Sequence, residues 1–180
     1  MPDFSSFISD ARVTASMVVD EAGHHTGPDG TSKSLGGESD FELLMLFRKR
    51  AGTVLTTGLT ARSENYRLPS SSSLAILTRS TAESLPKQLQ VEQVRLIGID
   101  TKVTPAESVQ QLMTASPTPI HIEFGPTALI ETLRSRTDVR AFISSEYESG
   151  PVAFISKWNL FQVGTFRFKN LYVNEVSGRV

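Results

Sequence analysis

The chain contains no cysteine, and its 180 residues set 18 Lys and Arg against 19 Asp and Glu. Without thiols, disulfide frameworks, thiolate zinc sites, iron–sulfur clusters and cysteine nucleophiles are excluded, which leaves oxygen, nitrogen or a bound cofactor for any chemistry. The missing basic surplus argues against broad electrostatic binding of nucleic acid. No apolar run is long enough to span a membrane, and residues 1–10 lack the basic-then-apolar order of a signal peptide. A soluble, cytoplasmic protein is therefore expected, as one globular domain over 1–180 with residues 1–11 as a flexible arm.

What is present alternates between strand and helix patterns. Residues 12–19, rich in Val, Thr and Met, read as a first strand, and a long loop with Gly23, Gly27, Gly30, Gly36 and Gly37 follows. Loops of that length inside a compact domain are more often functional than decorative. Ser39 and Glu42 have capping-box spacing, and Phe41, Leu44, Met45 and Arg48 mark one face of the helix behind them. Further strands are expected at 53–57, 74–78, 94–99, 119–124 and 139–144. Helices are expected at 105–115 and 126–136, where Pro105 and Pro126 suit first helical positions that need no amide donor. Strands at 161–168 and 171–176 joined by Lys169-Asn170 would form a hairpin. The expected fold is α/β, a mixed and mostly parallel sheet with an antiparallel carboxyl-terminal hairpin.

Three loops leave the expected carboxyl ends of strands, the edge where open parallel sheets bind ligands. Gly125-Pro126-Thr127 opens a helix and offers free amides with the positive end of a helix dipole. Arg79 between Thr78 and Ser80 can fork around a phosphomonoester. Thr57-Gly58-Leu59-Thr60 is the third. The run Arg48-Lys49-Arg50 reads as cations placed against a helix dipole. His24 and His25 have no third ligand at metal spacing, so no metal site is expected. His121 shares a strand face with Glu123 and reads as a hydrogen-bonded histidine of the core or a crevice.

In order and spacing these motifs resemble the dihydrofolate-reductase-like superfamily, specifically the reductase domain of bacterial riboflavin biosynthesis and its stand-alone relatives. The resemblance is carried by Val13-Thr14-Ala15-Ser16-Met17, by the stretch GTSKSLGG at 30–37, by LTTGLTARSENYR at 55–67, by Leu77-Thr78-Arg79-Ser80 and by Glu123-Phe124-Gly125-Pro126-Thr127. It implies a three-layer αβα fold, a homodimer, and an NADPH-dependent reductase that opens the ribose of a ribosylamino-pyrimidine (a 5-amino-6-(5-phosphoribosylamino)uracil reductase) or acts on a related heterocycle. Small-molecule substrate only, with neither nucleic acid nor membrane as partner, belongs to the same expectation. Carried over by position, Thr57, Gly58, Thr60, Thr78, Arg79, Ser80, Phe124, Gly125, Pro126 and Thr127 would hold NADPH. Ser32, Asn65 and Arg67 would meet the substrate. Glu64 or Asp20 would stabilise the iminium-like centre formed as the sugar opens, the hydride coming from the nicotinamide.

The chain departs from the resemblance in three places. Phe124 replaces the first of a glycine pair and is expected to put a bulky side chain at the cofactor's edge, Asp20-Glu21-Ala22-Gly23 replaces Ser-x-Asp-Gly, and the glycine-rich turn contains Leu59. The alternative is a catalytically degenerate relative that serves as a ligand-binding or dimeric interaction module. The deaminase to which such reductases are often fused needs two cysteine zinc ligands, so the absence of cysteine excludes that activity from these residues.

Overall fold

The computed structural model of the chain describes residues 8–99 and 101–179. Of the arm expected at 1–11, residues 1–7 lie outside the described residues. Eight strands form one sheet: β1 (Val13–Val18), β2 (Thr53–Thr57), β3 (Ser73–Leu77), β4 (Val94–Ile97), β5 (Ile120–Glu123), β6 (Val139–Ser145), β7 (Phe161–Phe168) and β8 (Leu171–Ser177). Their spatial order is β4-β3-β2-β5-β1-β6-β8-β7. β1 to β6 pair in parallel, whereas β8 runs antiparallel to both β6 and β7. The mixed sheet and the antiparallel hairpin stand as expected, closed by Lys169 in the left-handed region at φ 51°.

Alternation along the central strands divides the core into two layers. Val13, Ala15, Ile120, Ile122, Ala141 and Ile143 point to one face, under α3 (Pro105–Ala115), α4 (Pro126–Ser135) and α5 (Ser149–Trp158). On the opposite face α1 (Gly37–Arg50) packs Leu43 and Phe47 against Phe142, Leu171 and Val173. Beside it α2 (Gly58–Ser63) sets Ala61 on Val54, Leu74 and Ile76. Helices therefore cover both faces, giving three layers.

α1 differs from its expected form. It starts at Gly37, with Gly36 as a left-handed cap at φ 76° and no side-chain cap, so Ser39 and Glu42 make no capping box. The reason is a close approach: a Cβ on Gly36 would stand 2.8 Å from Val18 and 2.5 Å from Asp40. Contact with β1, rather than local hydroxyl chemistry, fixes where the helix begins. Its buried stripe is Leu43 and Phe47, and Phe41 is 60% exposed, so the face expected from Phe41, Leu44 and Met45 is displaced by one position.

Two helices were not expected from the sequence. α2 is six residues long and begins on Thr57, whose hydroxyl accepts the Thr60 amide, an N-cap that needs no long amphipathic run. α5 follows β6, buries Gly150, Pro151 and Phe154, and ends on Asn159 in the left-handed region.

The proposed flexible arm is corrected as well. Ile8 is 1% exposed within the cluster of Leu43, Phe47 and Phe142, and Arg50 holds the Ser9 and Ala11 carbonyls. Residues 8–11 are thus part of the fold. Ile8→Ala is expected to cost about 2–5 kcal/mol in a denaturant titration, by lost transfer energy plus cavity, where a truly mobile arm would show no change.

Candidate functional site

Because β1, β2, β3, β5 and β6 are parallel neighbours, their carboxyl ends share one sheet edge, and the motif loops gather there. Thr57 ends β2 and caps α2, with its hydroxyl 3.0 Å from that of Thr60. Gly58 is required by packing, because an added Cβ would lie 2.7 Å from Thr78 Oγ1. The Thr78 hydroxyl in turn accepts the Ser80 amide at 3.1 Å, shaping the loop that exposes Arg79. Contacts of Gly58 with Thr78 and of Thr57 with Thr60 bring the β2 and β3 loops to one place on the edge.

Gly125 differs from Gly58. It has ordinary extended angles (φ −65°, ψ 168°), and a Cβ there would meet nothing nearer than Thr60 Oγ1 at 3.8 Å. Neither conformation nor packing demands glycine at this position. It leaves a bare cradle at the start of α4, where Pro126 occupies the first turn and Thr127 is exposed.

Phe124 corrects an expectation. Strand parity places it with Ile120 and Ile122 on the opposite face from His121 and Glu123, and its side chain is 4% exposed within the core under α3, α4 and α5. It adds nothing bulky to the cofactor's edge. Only its backbone borders the cradle.

The other face of β5 carries charge. Arg48, in the last turn of α1, grips Glu123 with two hydrogen bonds of 2.7 Å, and the Tyr66 hydroxyl donates to the same carboxylate. Arg48 also donates to Tyr66 at 2.7 Å and lies over its ring. Burial alone would raise the Glu123 pKa, but the Arg48 hydrogen bonds and charge outweigh it and hold the carboxylate below the ordinary range. For Arg48, burial works against its charge, and Glu123 reverses the balance upward. Burial and the Glu123 charge push Tyr66 well above its ordinary value, so it remains a donor. Reading Arg48 as a helix-end cation thus missed its partner.

His121 lies beside this group, hydrogen-bonded to Thr14 and Ser16 at 3.0 Å each and stacked on Phe47 with centroids 4.6 Å apart. Complete burial lowers its pKa to about 4, which makes it a neutral core histidine.

Asp40 was not singled out in the sequence. It sits in the first turn of α1 and accepts the Ser144 hydroxyl at 2.8 Å. Burial raises its pKa to about 6 against the Ser144 hydrogen bond, and the charges of Glu123 and Glu146 push the same way. The signal was available: Asp40, Leu43 and Phe47 recur at helical spacing, which puts a carboxyl on the stripe that meets the sheet.

The expected substrate residues divide. Ser32 donates its amide to Glu64 Oε1 at 2.8 Å, so the long loop is fastened to the end of α2. Asp29 organises that loop from within by accepting from Thr31 and Ser34. Asn65, in the left-handed region at φ 44°, accepts from Gln88, and with Arg67 and Leu68 it borders a separate shallow cleft. Asp20 commits both oxygens to its own turn: Oδ1 accepts from the Ala22 and His24 amides and Oδ2 pairs with the His24 ring. Burial would raise its pKa, but those hydrogen bonds and the His24 charge prevail and lower it. Among the described residues Glu64 accepts only at Oε1, and its Oε2 has no hydrogen-bond donor. No group of three metal-ligating side chains occurs among the described residues.

The class that this sheet order and loop edge define is the dihydrofolate-reductase-like α/β fold. Among solved structures, a pyrimidine reductase-like protein from Corynebacterium diphtheriae shares it, with a TM-score of 0.66 and 21% identity over 98% of this chain and 94% of that one. Acinetobacter baumannii RibD matches with a TM-score of 0.65 and 13% identity, and this chain, 94% covered, spans 58% of it. The Thermotoga maritima diaminohydroxyphosphoribosylaminopyrimidine deaminase/5-amino-6-(5-phosphoribosylamino)uracil reductase matches with a TM-score of 0.57 and 14% identity, over 93% of this chain and 56% of that one. No protein-family model matches the chain, and no curated protein sequence does. No helix among the described residues is long and apolar enough to cross a membrane.

The Asp40 environment predicts a pH dependence. A carboxyl whose folded pKa is raised binds its proton more tightly when folded, so its contribution is full below about 4 and is lost as pH rises through about 6. Asp40→Asn should remove that loss and exceed the parent in stability at pH 7 by roughly 1–3 kcal/mol. Urea midpoints of both proteins between pH 4 and 8 check this, and parallel curves would refute it.

Proposed function

We propose that the protein is an NADPH-dependent reductase acting on a ribosylamino-pyrimidine or a related heterocycle. The observation that carries this reading is Gly125, a glycine with no conformational or packing need for its missing side chain, at a helix start where three hydroxyl-bearing loops converge. A dinucleotide needs such a cradle, because its pyrophosphate must approach backbone amides more closely than a Cβ allows. The residues present fit the cofactor. The α4 amides and the hydroxyls of Thr60 and Thr127 would hold the pyrophosphate, with Thr57 positioning Thr60 by donating to its hydroxyl, and the Thr78–Arg79–Ser80 loop would hold the adenosine end. The burial of Phe124 removes the obstruction on which the degenerate alternative rested.

When bound, the reduced nicotinamide supplies a hydride. The chain's own residues orient and polarise. Glu64 is better placed than Asp20 to stabilise a cationic carbon as the ribose opens, since its Oε2 is uncommitted whereas both Asp20 oxygens hold their own turn. By holding the Ser32 amide, Glu64 also fastens the long loop to the end of α2. Asp40, with a pKa of about 6, retains a proton for part of the neutral range and can exchange it with a reacting nitrogen. The Arg48–Glu123–Tyr66 group sets the spacing between α1, β5 and the segment just beyond α2.

Gly125→Ala tests the reading. Alanine fits the backbone angles and costs under about 1 kcal/mol at a helix cap, so the fold is kept. In a titration followed by nicotinamide fluorescence, the parent should bind NADPH and the variant should bind it about ten-fold or more weakly. Equal affinity, or no binding by the parent at millimolar nucleotide, contradicts the proposal.

A further inference from the structure

Two residues of β1 turn hydroxyls to the sheet face that carries His121. Strand parity sets Thr14 and Ser16 opposite the core residues Val13, Ala15 and Met17, and the pairing of Thr14 with His121 and of Ala15 with Ile122 brings both hydroxyls to the imidazole. Thr14 Oγ1 lies 3.0 Å from Nδ1, and Ser16 Oγ lies 3.0 Å from Nε2. Phe47 stacks on the ring at an interplanar angle of 6° and fixes its plane. The result is a hydroxyl–imidazole–hydroxyl chain that is buried at Thr14 and His121 and only half-buried at Ser16.

Proton counting orients this chain. A neutral imidazole carries one N–H and one bare nitrogen, so it donates to one hydroxyl and accepts from the other. His121 is neutral, because complete burial lowers its pKa to about 4. Thr14 is 2% exposed, and among the described residues its hydroxyl has no partner except Nδ1. Were Nδ1 the donor, the Thr14 proton would be buried without an acceptor, at the full desolvation cost of that group. Thr14 therefore donates to Nδ1, and Nε2–H donates to Ser16 Oγ. The Ser16 proton then has no acceptor among the described residues, and Ser16 is the member of the chain that solvent reaches. The same count excludes a Ser–His nucleophile pair, since Nε2 already holds a proton and cannot take that of Ser16.

The register gives this donor its neighbours. Ser16 pairs with Phe142 on β6, and it stands one step past the Ala15–Ile122 pair, level with Glu123 on β5. Two residues further along β1, Val18 pairs with Ser144, which donates to Asp40. Glu123 is taken up by Arg48 and Tyr66, so Ser16 offers a proton where the polar groups on either side are already engaged. We propose that Ser16 contacts the substrate by donating its hydroxyl proton to a ring carbonyl oxygen of the pyrimidine, and that His121 is the positioning residue that leaves this proton free. The inference rests on the heterocycle reading given under the proposed function and adds to it the polarity of one contact: Ser16 favours an acceptor atom of the ring over an amino group.

The first measurement is the tautomer of His121, read from the ring nitrogen shifts of the whole 15N-labelled protein at neutral pH. The proton should sit on Nε2, and a proton on Nδ1 or an imidazolium overturns the proposal. The second is a calorimetric titration with 5,6-diaminouracil as the probe. Ser16→Ala should bind it about five- to ten-fold more weakly than the parent. His121→Phe combined with Thr14→Val keeps a ring on Phe47 and removes the relay without leaving an unpaired hydroxyl. This pair should weaken probe binding in the parent background and add nothing in the Ser16→Ala background, because its effect runs through Ser16. A parent that does not bind the probe, a Ser16→Ala variant with the parent's affinity, or independent effects in the cycle overturn the proposal. If the paired variant does not fold, the tautomer and Ser16→Ala still decide. NADPH binding is read separately. A parent that binds NADPH while the Ser16 results fail loses only this contact, whereas Ser16 results that hold without NADPH binding leave the contact standing and overturn the reductase reading.

Discussion

The hydrogen-bonded pair between Arg48 and Glu123, closed by the Tyr66 hydroxyl, is the constraint around which the functional half of the molecule is arranged. A carboxylate on the central strand of a sheet is costly to bury unless an opposite charge and donors meet it directly. Meeting it requires three separate elements: the last turn of α1, the end of β5 and the segment just beyond α2. The pair therefore adds little net stability over an apolar equivalent, yet removing one partner would strand the other. Its contribution is to fix where α1 and the α2 segment stand over β5. Glu123 lies two residues before Gly125, and Tyr66 two residues after Glu64, so one charge knot registers the Gly125 turn against the loop-fastening carboxylate.

The sheet was legible in the sequence because its central strands are runs of β-branched and apolar residues, and α3 and α4 because Pro105 and Pro126 announce them. The start of α1 was misread for a physical reason. Ser39-x-x-Glu42 satisfies a local rule, but the contact of Gly36 with Val18 is a tertiary fact that no local pattern carries. α2 escaped because six residues are too few to display a period, and α5 because Gly150 and Pro151 read as a loop. Phe124 could have been read correctly, since Ile120, Ile122 and Phe124 share one parity and His121 and Glu123 the other. Bulk was assigned to the site when alternation assigned it to the core.

Of the candidate site, the loops were legible and the partnerships were not. Hydroxyls and glycines after strands identified the edge, which the parallel pairing then assembled. Nothing in the spacing of Glu64 revealed that it takes the Ser32 amide, or in that of Asp20 that both its oxygens hold its own turn. Arg62 was hidden inside an unexpected helix, where its Nη1 reaches the space over Gly58 beside Thr78. Commitment separates the groups: residues with satisfied partners build the frame, and those left uncommitted at the edge are available to a ligand.

If the proposed function holds, the carboxyl edge of the sheet around Gly125 is a nucleotide site. A crystal structure of the protein grown with NADPH tests it most directly. The pyrophosphate is expected over Gly125 at the start of α4 and the adenosine end at the Thr78–Arg79–Ser80 loop, with the Arg48–Glu123–Tyr66 group unchanged. A nucleotide bound away from Gly125, or no nucleotide in crystals grown at saturating NADPH, would contradict it.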